Sequence, residues 1–252
     1  MGLGRRKIKL SDARSWVFNR MAAEYDARPP YPAALIDALD ALAGNASARV
    51  VDIGAGIGHV TIPLAARGFV VTAVEPAIEM LDRLRTTANE RGLNVRALHA
   101  QAEALPLEAG GADLIVISDA LHFLDAELTA LEVARVLAPR GVLALVTCEF
   151  ADTPFMNSLV ALMHEAAPRR LRAIEGPSAQ LSAVSGVVLS AATEFCDRTP
   201  LDREQLERIL QTISFLGPAM NPARLAAFRE RVHALPEPAW ARRFTLRSGR
   251  KA

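Results

Sequence analysis

The strongest constraint on this chain is a rhythm. Between residues 49 and 147, short runs of branched apolar residues alternate with amphipathic stretches. Arg49-Val50-Val51-Asp52-Ile53 and Phe69-Val70-Val71-Thr72-Ala73-Val74 read as strands, as do 95–98, 112–117 and 142–147. Residues 57–67, 76–91 and 128–137 read as helices, and Pro139-Arg140-Gly141 as a turn. The run 112–117 is almost continuously apolar, as a strand covered on both faces should be. Such alternation at short spacing builds a parallel sheet wound by helices on both faces. Right-handed crossovers then fix its local topology.

The flanks read differently. Residues 12–25 suggest a short helix, which the run Arg28-Pro29-Pro30-Tyr31-Pro32 breaks, because each proline drives its predecessor to extended geometry. Residues 33–43 return to helical spacing and stop at Gly44. After Cys148 the alternation fails: 154–182 reads as irregular helix, 187–199 has room for a strand, 202–215 and 222–234 look helical, and 241–246 reads as a last strand.

Composition excludes several classes. With 252 residues, 51% of them hydrophobic, the chain buries a core without disulfide or metal staples. Lys plus Arg is 29 and Asp plus Glu is 28, a net charge of +1. That balance argues against a nucleic-acid or membrane-surface binder. The two cysteines, Cys148 and Cys196, are far apart, and the five histidines are irregularly spaced, so no metal site is expected. No stretch is long and apolar enough to span a membrane. The basic N-terminus lacks the apolar run of a signal peptide. The expectation is a cytoplasmic protein, monomer or homodimer, with a small-molecule partner.

The chemistry concentrates after the first strand. Val50-Val51-Asp52-Ile53-Gly54-Ala55-Gly56-Ile57-Gly58 is a strand running into a glycine turn that opens a helix. Glycines suit a tight turn that a ligand approaches closely. Glu75 ends the second strand, 21 residues after Gly54, where a carboxylate accepts both hydroxyls of a ribose. A dinucleotide fingerprint would place its third glycine at 59, which is His59. Asp52 would also repel a pyrophosphate but tolerate a cationic sulfonium amino acid. The spacing therefore argues against nicotinamide cofactors.

Asp52–Gly58 resembles the first motif of class I S-adenosylmethionine (SAM) dependent methyltransferases. Val74-Glu75-Pro76-Ala77-Ile78-Glu79-Met80-Leu81 is similar to their second. Ala102–Leu107 with Ala112–Val116 resembles the third and fourth, and Arg135–Leu143 the fifth. Tyr25-Asp26-Ala27-Arg28-Pro29-Pro30-Tyr31-Pro32 resembles the segment before the core in small-molecule members, of the quinone C-methyltransferase and trans-aconitate methyltransferase kinds. The resemblance implies an α/β, Rossmann-like fold: a seven-stranded sheet, helices on both faces and a helical lid. It implies N-terminal lid helices over 1–45 and a SAM-binding core over 46–150. Residues 151–252 would supply a substrate lid and the last strands of the same sheet.

The resemblance also assigns roles. Gly54, Ala55, Gly56 and Gly58 would pass under the methionine part of SAM, and Asp52 would receive its ammonium group. Glu75 would hold the ribose, with Pro76, Ala77, Ile78 or Met80 beside the adenine. Gln101, Ala102 and Glu103 would border the adenine, with Gln101 standing where relatives usually carry Asp. Ser118-Asp119-Ala120-Leu121-His122 follows the fourth strand, where the methyl would face its acceptor. His122 is the candidate general base, or else a histidine packing at a helix start. His59, His99, His164 and His233 are expected at the surface or in packing. Phe123, Phe150 and Phe155 are expected in the core or pocket wall, and Arg169, Arg170 and Arg172 on a solvated helix face. The sequence has two tyrosines, Tyr25 and Tyr31. Tyr25 would meet the sulfonium, since aromatic faces attract cations, while Arg28 would reach the donor carboxylate and Tyr31 would pack the lid.

The expected function is methyl transfer from SAM to a small secondary-metabolite or organic-acid acceptor by in-line displacement. Two alternatives keep the cofactor: an intramolecular cyclisation of SAM that releases methylthioadenosine, and a non-catalytic SAM-binding protein.

Overall fold

The strands expected at 49–53, 69–74, 95–98, 112–117 and 142–147 all form, the second starting at Val70, and they join one sheet. The computed structural model describes residues 17–167, 175–213, 216 and 221–251. The strands are β1 (Arg49–Ile53), β2 (Val70–Val74), β3 (Val95–Leu98), β4 (Ala112–Ser118), β5 (Leu137–Phe150), β6 (Thr193–Pro200) and β7 (Ala239–Arg250). In the first half the helices are α1 (Val17–Met21), α2 (Ala33–Ala43), α3 (Thr61–Ala66), α4 (Ile78–Glu90) and α5 (Ala126–Val136). The second half adds α6 (Pro154–Ala166), α7 (Glu175–Ser185), α8 (Arg203–Gln211) and α9 (Pro222–His233).

The sheet order is β3-β2-β1-β4-β5-β7-β6. β1 to β5 pair in parallel, and β7 runs antiparallel between β5 and β6. This is the seven-stranded Rossmann-like sheet that the rhythm and the resemblance imply. The two-residue strand period sends alternate side chains to opposite faces. Val51, Ile53, Ile115, Ile117, Leu143 and Leu145 fill one face against Ala130, Val133 and Val136 of α5 and Leu181 of α7. Val50, Leu114, Val116, Val142, Ala144 and Val146 fill the other against Leu35, Ile36 and Leu39 of α2 and Leu64 of α3.

Differences from expectation have local causes. The helix expected from 57 starts at Thr61, because Gly58 sits at φ +99°, outside helical space. The helix expected from Pro76 starts at Ile78, after Ala77 in extended geometry. The turn at 139–141 is a bulge inside β5: Leu137 pairs with Ala112, Val142 pairs with Leu114, and Arg140 adopts φ +64°. The region 154–182 divides into α6 and α7, and Arg169, Arg170 and Arg172 lie outside the described residues. The last strand is longer than expected, 239–250, since it pairs on both sides.

A second apolar cluster lies beyond the sheet. Met156, Leu159 and Met163 of α6, Leu206, Ile209 and Leu210 of α8, and Phe228 and Val232 of α9 pack on Trp240. Arg242 of β7 fastens the proline segment beside it. Its buried guanidinium donates to the carbonyls of Pro29 (3.0 Å) and Pro30 (2.6 Å) and pairs with Asp197 of β6. Removing one member of such a pair leaves a buried charge uncompensated, at a cost of about 3–5 kcal/mol. Arg242→Ala is expected to lower unfolding stability by about 3 kcal/mol, read as a reduced midpoint in urea denaturation.

Candidate active site

The sheet order reverses at β1, whose neighbours are β2 and β4. The chain leaves β1 toward one side of the sheet and later returns on the other, which opens a crevice at the carboxyl ends of these strands. A cavity of about 500 Å3 occupies that crevice. The volume falls within the range of small-molecule sites.

Its floor is the glycine turn. The backbone N–H groups of Gly54 and Ala55 both donate to the carbonyl of Val74, at 2.8 and 3.2 Å, tying the turn to β2. Gly54 has φ +73°, and a Cβ there would stand 2.5 Å from that of Ala120. Gly56, at φ +55°, faces open space. Gly58 does not line the cavity. A Cβ on it would meet Ile62 at 2.8 Å and Leu84 at 3.2 Å, so this glycine lets α3 and α4 approach.

Glu75 stands at the end of β2, only 6% exposed. One carboxylate oxygen accepts from Gly56 N–H and the other from Ala77 N–H, both at 2.8 Å. Burial raises its pKa to about 7 despite these two donors. Asp52 is buried beside the turn and accepts a 2.6 Å hydrogen bond from Thr61. Burial lifts its pKa to about 6.

Pro76, Met80, Gln101, Ala102, Glu103, Ser118 and His122 complete one wall. Ala77 is buried behind it, with Met80, Met21 and Ala22. Glu103 caps the segment before α5 by accepting from Asp125 N–H at 2.8 Å. His122 lies in a single 3-10 turn, Leu121–Phe123, its ring centroid 4.0 Å from that of Phe123.

The roof comes from the flanks. Tyr25, Arg28 and Tyr31 enter from the proline-rich strap. Arg28 lies over the Tyr25 ring, 4.5 Å from its centroid, and donates to Thr212 Oγ1 (2.7 Å) and to its carbonyl (2.9 Å). Tyr31 does more than pack. Its ring meets Phe244 at 4.8 Å, and its hydroxyl accepts from Ser118 Oγ at 3.2 Å. Burial raises both tyrosine pKa values.

Other lining residues escaped the sequence reading. His59 was expected at the surface or in packing; it is half-buried on the cavity, 5.3 Å from Tyr31 and 6.2 Å from Tyr25 between ring centroids. Burial and the charges of Arg28 and Arg242 depress its pKa to about 4. His164 of α6 also faces the cavity; Phe123 and Phe150 line its wall and Phe155 is core, the two places expected for these three rings. His99 reaches the Pro76 carbonyl at 3.0 Å, and His233 pairs with Glu207 at 2.7 Å. Cys148, Thr212, Trp240 and Arg242 line the acceptor end. No sequence period marks these residues, because they come from a strap, a lid helix and the last strand. Among the described residues, no three His, Cys, Asp or Glu side chains are grouped to hold a metal ion, and no helix is long and apolar enough to cross a membrane.

Comparison with known proteins bears on this geometry. Residues 50–141 match the family described as "Methyltransferase domain". An uncharacterized methyltransferase of Mycobacterium tuberculosis is 39% identical over 147 residues, 58% of this chain and 55% of the relative. A demethylmenaquinone methyltransferase of Thermus thermophilus is 38% identical over 120 residues, 46% of this chain and 54% of the relative. The chain thus spans about half the length of these curated relatives. Among solved structures, the YcgJ protein of Bacillus subtilis aligns with TM-score 0.57 and 24% identity, over 85% of this chain and 96% of that one. Geranyl diphosphate C-methyltransferase from Streptomyces coelicolor, solved with Mg2+, geranyl diphosphate and S-adenosyl-L-homocysteine, aligns with TM-score 0.55 and 16% identity, over 87% of this chain and 79% of that one. These structural likenesses show the shared fold. The matched segment holds the turn, Glu75 and the 101–103 wall, while Tyr25, Arg28, Tyr31 and Arg242 lie outside it.

Two buried carboxyls and the half-buried Asp119 make the ligand-free protein sensitive to pH. Asp52 and Asp119 are raised to about 6 and Glu75 to about 7. Between their ordinary values and these, the folded protein holds protons that the unfolded chain releases, so stability falls as pH rises. His59 acts oppositely: depressed to about 4, it stays neutral when folded while the unfolded chain protonates, so it adds stability as pH rises to its ordinary value. The carboxyls outnumber it. The urea midpoint of ligand-free protein is expected to be lower at about pH 7.5 than at about pH 5.5, and the fall to steepen in His59→Asn.

Proposed function

We propose that the protein is a SAM-dependent methyltransferase acting on a small-molecule acceptor. The observation that carries this reading is Glu75. Its carboxylate is fixed by two backbone N–H groups at the edge of a glycine-floored cavity, and each oxygen keeps a lone pair for a hydroxyl. That arrangement suits the paired hydroxyls of a ribose. The presence of S-adenosyl-L-homocysteine in the Streptomyces coelicolor structure supports the same choice of cofactor.

In this reading Gly54, Ala55 and Gly56 carry the amino-acid part of SAM, with Asp52 facing its ammonium group. Thr61 occupies one Asp52 oxygen and leaves acceptor capacity on the carboxylate. Gln101, Ala102 and Glu103 border the adenine, with Pro76 and Met80 opposite. Bound SAM supplies an activated methyl group on a sulfonium. The protein's part is then alignment and exclusion of water. Tyr25 and Tyr31 close the roof, and the elevated pKa of each keeps its hydroxyl protonated as a donor. Arg28, stacked on Tyr25, brings positive charge to the SAM carboxylate. His122, against Phe123, is read as wall more than base. Residues 17–45 and the helices after residue 151 are read as the lid; residues 1–16 of the expected lid lie outside the described residues. The partner is one small molecule, in a cytoplasmic setting.

Isothermal calorimetry with SAM tests the reading, and absence of binding overturns it. Glu75→Ala is expected to weaken binding about 100-fold, the loss of two hydrogen bonds to a charged group. Binding near pH 6 should release protons, because ligand recognition favours ionised Asp52 and Glu75. Protein incubated with SAM alone is expected to leave it intact, and addition of a metabolite extract to yield a labelled product. Methylthioadenosine formed without an acceptor would replace methyl transfer with the cyclisation.

A further inference from the structure

Asp119 is unlike its neighbours. It follows Ser118 at the carboxyl end of β4, on the cavity wall, and holds a left-handed backbone at φ +48°. Only a small share of non-glycine residues adopt this geometry, and it persists where the surroundings enforce it. Asp119 N–H donates to the Val146 carbonyl at 2.8 Å, which ties the turn to β5. Its carboxylate accepts from the backbone of Cys148 and feels the charges of Arg28 and Arg242.

We propose that Asp119 is the proton acceptor of the acceptor half of the cavity, and that the acceptor is a hydroxyl-bearing ring, a phenol or a conjugated enol. This rests on the methyltransferase reading above. The walls choose the class. Trp240 and Phe150 meet edge to face at 5.2 Å, and Met163, Ile213 and Val160 add apolar surface, a setting for a flat apolar body. Arg28 and Arg242 both border this space, and with Asp197 offsetting Arg242 and Asp119 standing between them, Arg28 leaves positive character that suits the oxygen anion formed as a hydroxyl loses its proton better than an ammonium acceptor. A carboxylate acceptor would face Asp119 itself, at the repulsion of two like charges.

The groups facing Asp119 come from every element around it: Arg28, Tyr25 and Tyr31 from the strap, Arg242 from β7 and Cys148 from β5. The tyrosines and the cysteine are raised and stay protonated, so Asp119 is the basic group of the cluster. Burial lifts it to about 6 while the arginines hold it down, which leaves it ionised at neutral pH. In the step, the hydroxyl proton passes to the Asp119 carboxylate. The oxygen lone pair forms the O–CH3 bond, and the C–S bond breaks with its electron pair returning to sulfur, leaving a neutral thioether.

The test compares wild type with Asp119→Asn, which tolerates the left-handed backbone and keeps the side-chain shape. Probes are 2-naphthol, protonated at neutral pH, and 4-nitrophenol, largely ionised at about pH 8.5, with tryptamine and benzoate as the amine and carboxylate rivals. SAM affinity of the variant by calorimetry should stay within about 2-fold, while kcat/KM for 2-naphthol falls about 100-fold or more. With 4-nitrophenol at about pH 8.5 the fall should stay under about 10-fold, since that acceptor needs no base. The acid limb near pH 6 in the wild-type kcat/KM profile should vanish in the variant. Equal losses for the two phenols overturn the proposal. So does methylation of tryptamine or benzoate in preference to the phenols, or a SAM-binding wild type that methylates none of them. Failure of the wild type to bind SAM instead overturns the reading beneath it.

Discussion

A buried carboxylate organises this molecule's centre. Glu75 joins three segments that the sequence keeps apart. Its N–H donates to the Leu98 carbonyl at the end of β3, one oxygen takes Gly56 N–H from the turn after β1, and the other takes Ala77 N–H just before α4. A charge buried without partners would be costly, whereas charge-assisted hydrogen bonds from rigid backbone offset that cost. The two donors are fixed by the geometry that makes the cavity. The turn cannot move without freeing Gly56, and α4 cannot start earlier without losing Ala77.

The roof depends on a different set of interactions, which tie it to α8 and to the sheet strand β7. Arg208 of α8 pairs with Glu24 and Asp26, and Gln205 donates to the Ala27 carbonyl. Arg28 reaches Thr212 beyond the end of the same helix, and Arg242 holds the carbonyls of Pro29 and Pro30. Prolines suit this strap because their fixed φ presents consecutive carbonyls without N–H groups of their own to satisfy. The strap, α8 and β7 therefore share a network, and a displacement of one carries the others. The N-terminal segment bears on the cavity through this long-range pairing and through Phe18 of α1, which meets Phe123 edge to face at 4.9 Å.

What the sequence disclosed follows from which constraints are local. Strand and helix period, the glycine turn and the carboxylate at the end of the second strand are short-range facts, and β1 to β5 formed where expected. Gly58 shows the limit of a motif read as a unit: its neighbours are Ile62 and Leu84, so its need for glycine is one of packing. His59, one residue further, had no periodic signal, because its place depends on two tyrosines 28 and 34 positions earlier folding back over the turn. Arg242 was similarly silent. A lone arginine on a last strand becomes meaningful only when a proline strap from the far end of the chain lies against it.

The near-zero net charge conceals a strong local separation. At the floor, Glu75 has Asp52 as its charged neighbour, and both carboxyls are raised by burial. At the roof, His59 is held neutral with Arg28 and Arg242 as its charged neighbours. Asp52 and Glu75 stand together at the floor, whereas at the roof Asp119 and Asp197 stand beside the guanidinium groups of Arg28 and Arg242. In a cavity with low-dielectric walls such charges act at greater strength than in water. On the proposed reading, the floor carboxyls suit a cationic donor and the guanidinium groups beside Asp119 suit an oxygen anion. A basic or acidic surface would not achieve this. The opposition has to lie within the cavity, and a balanced composition leaves the outside of the molecule without a competing field.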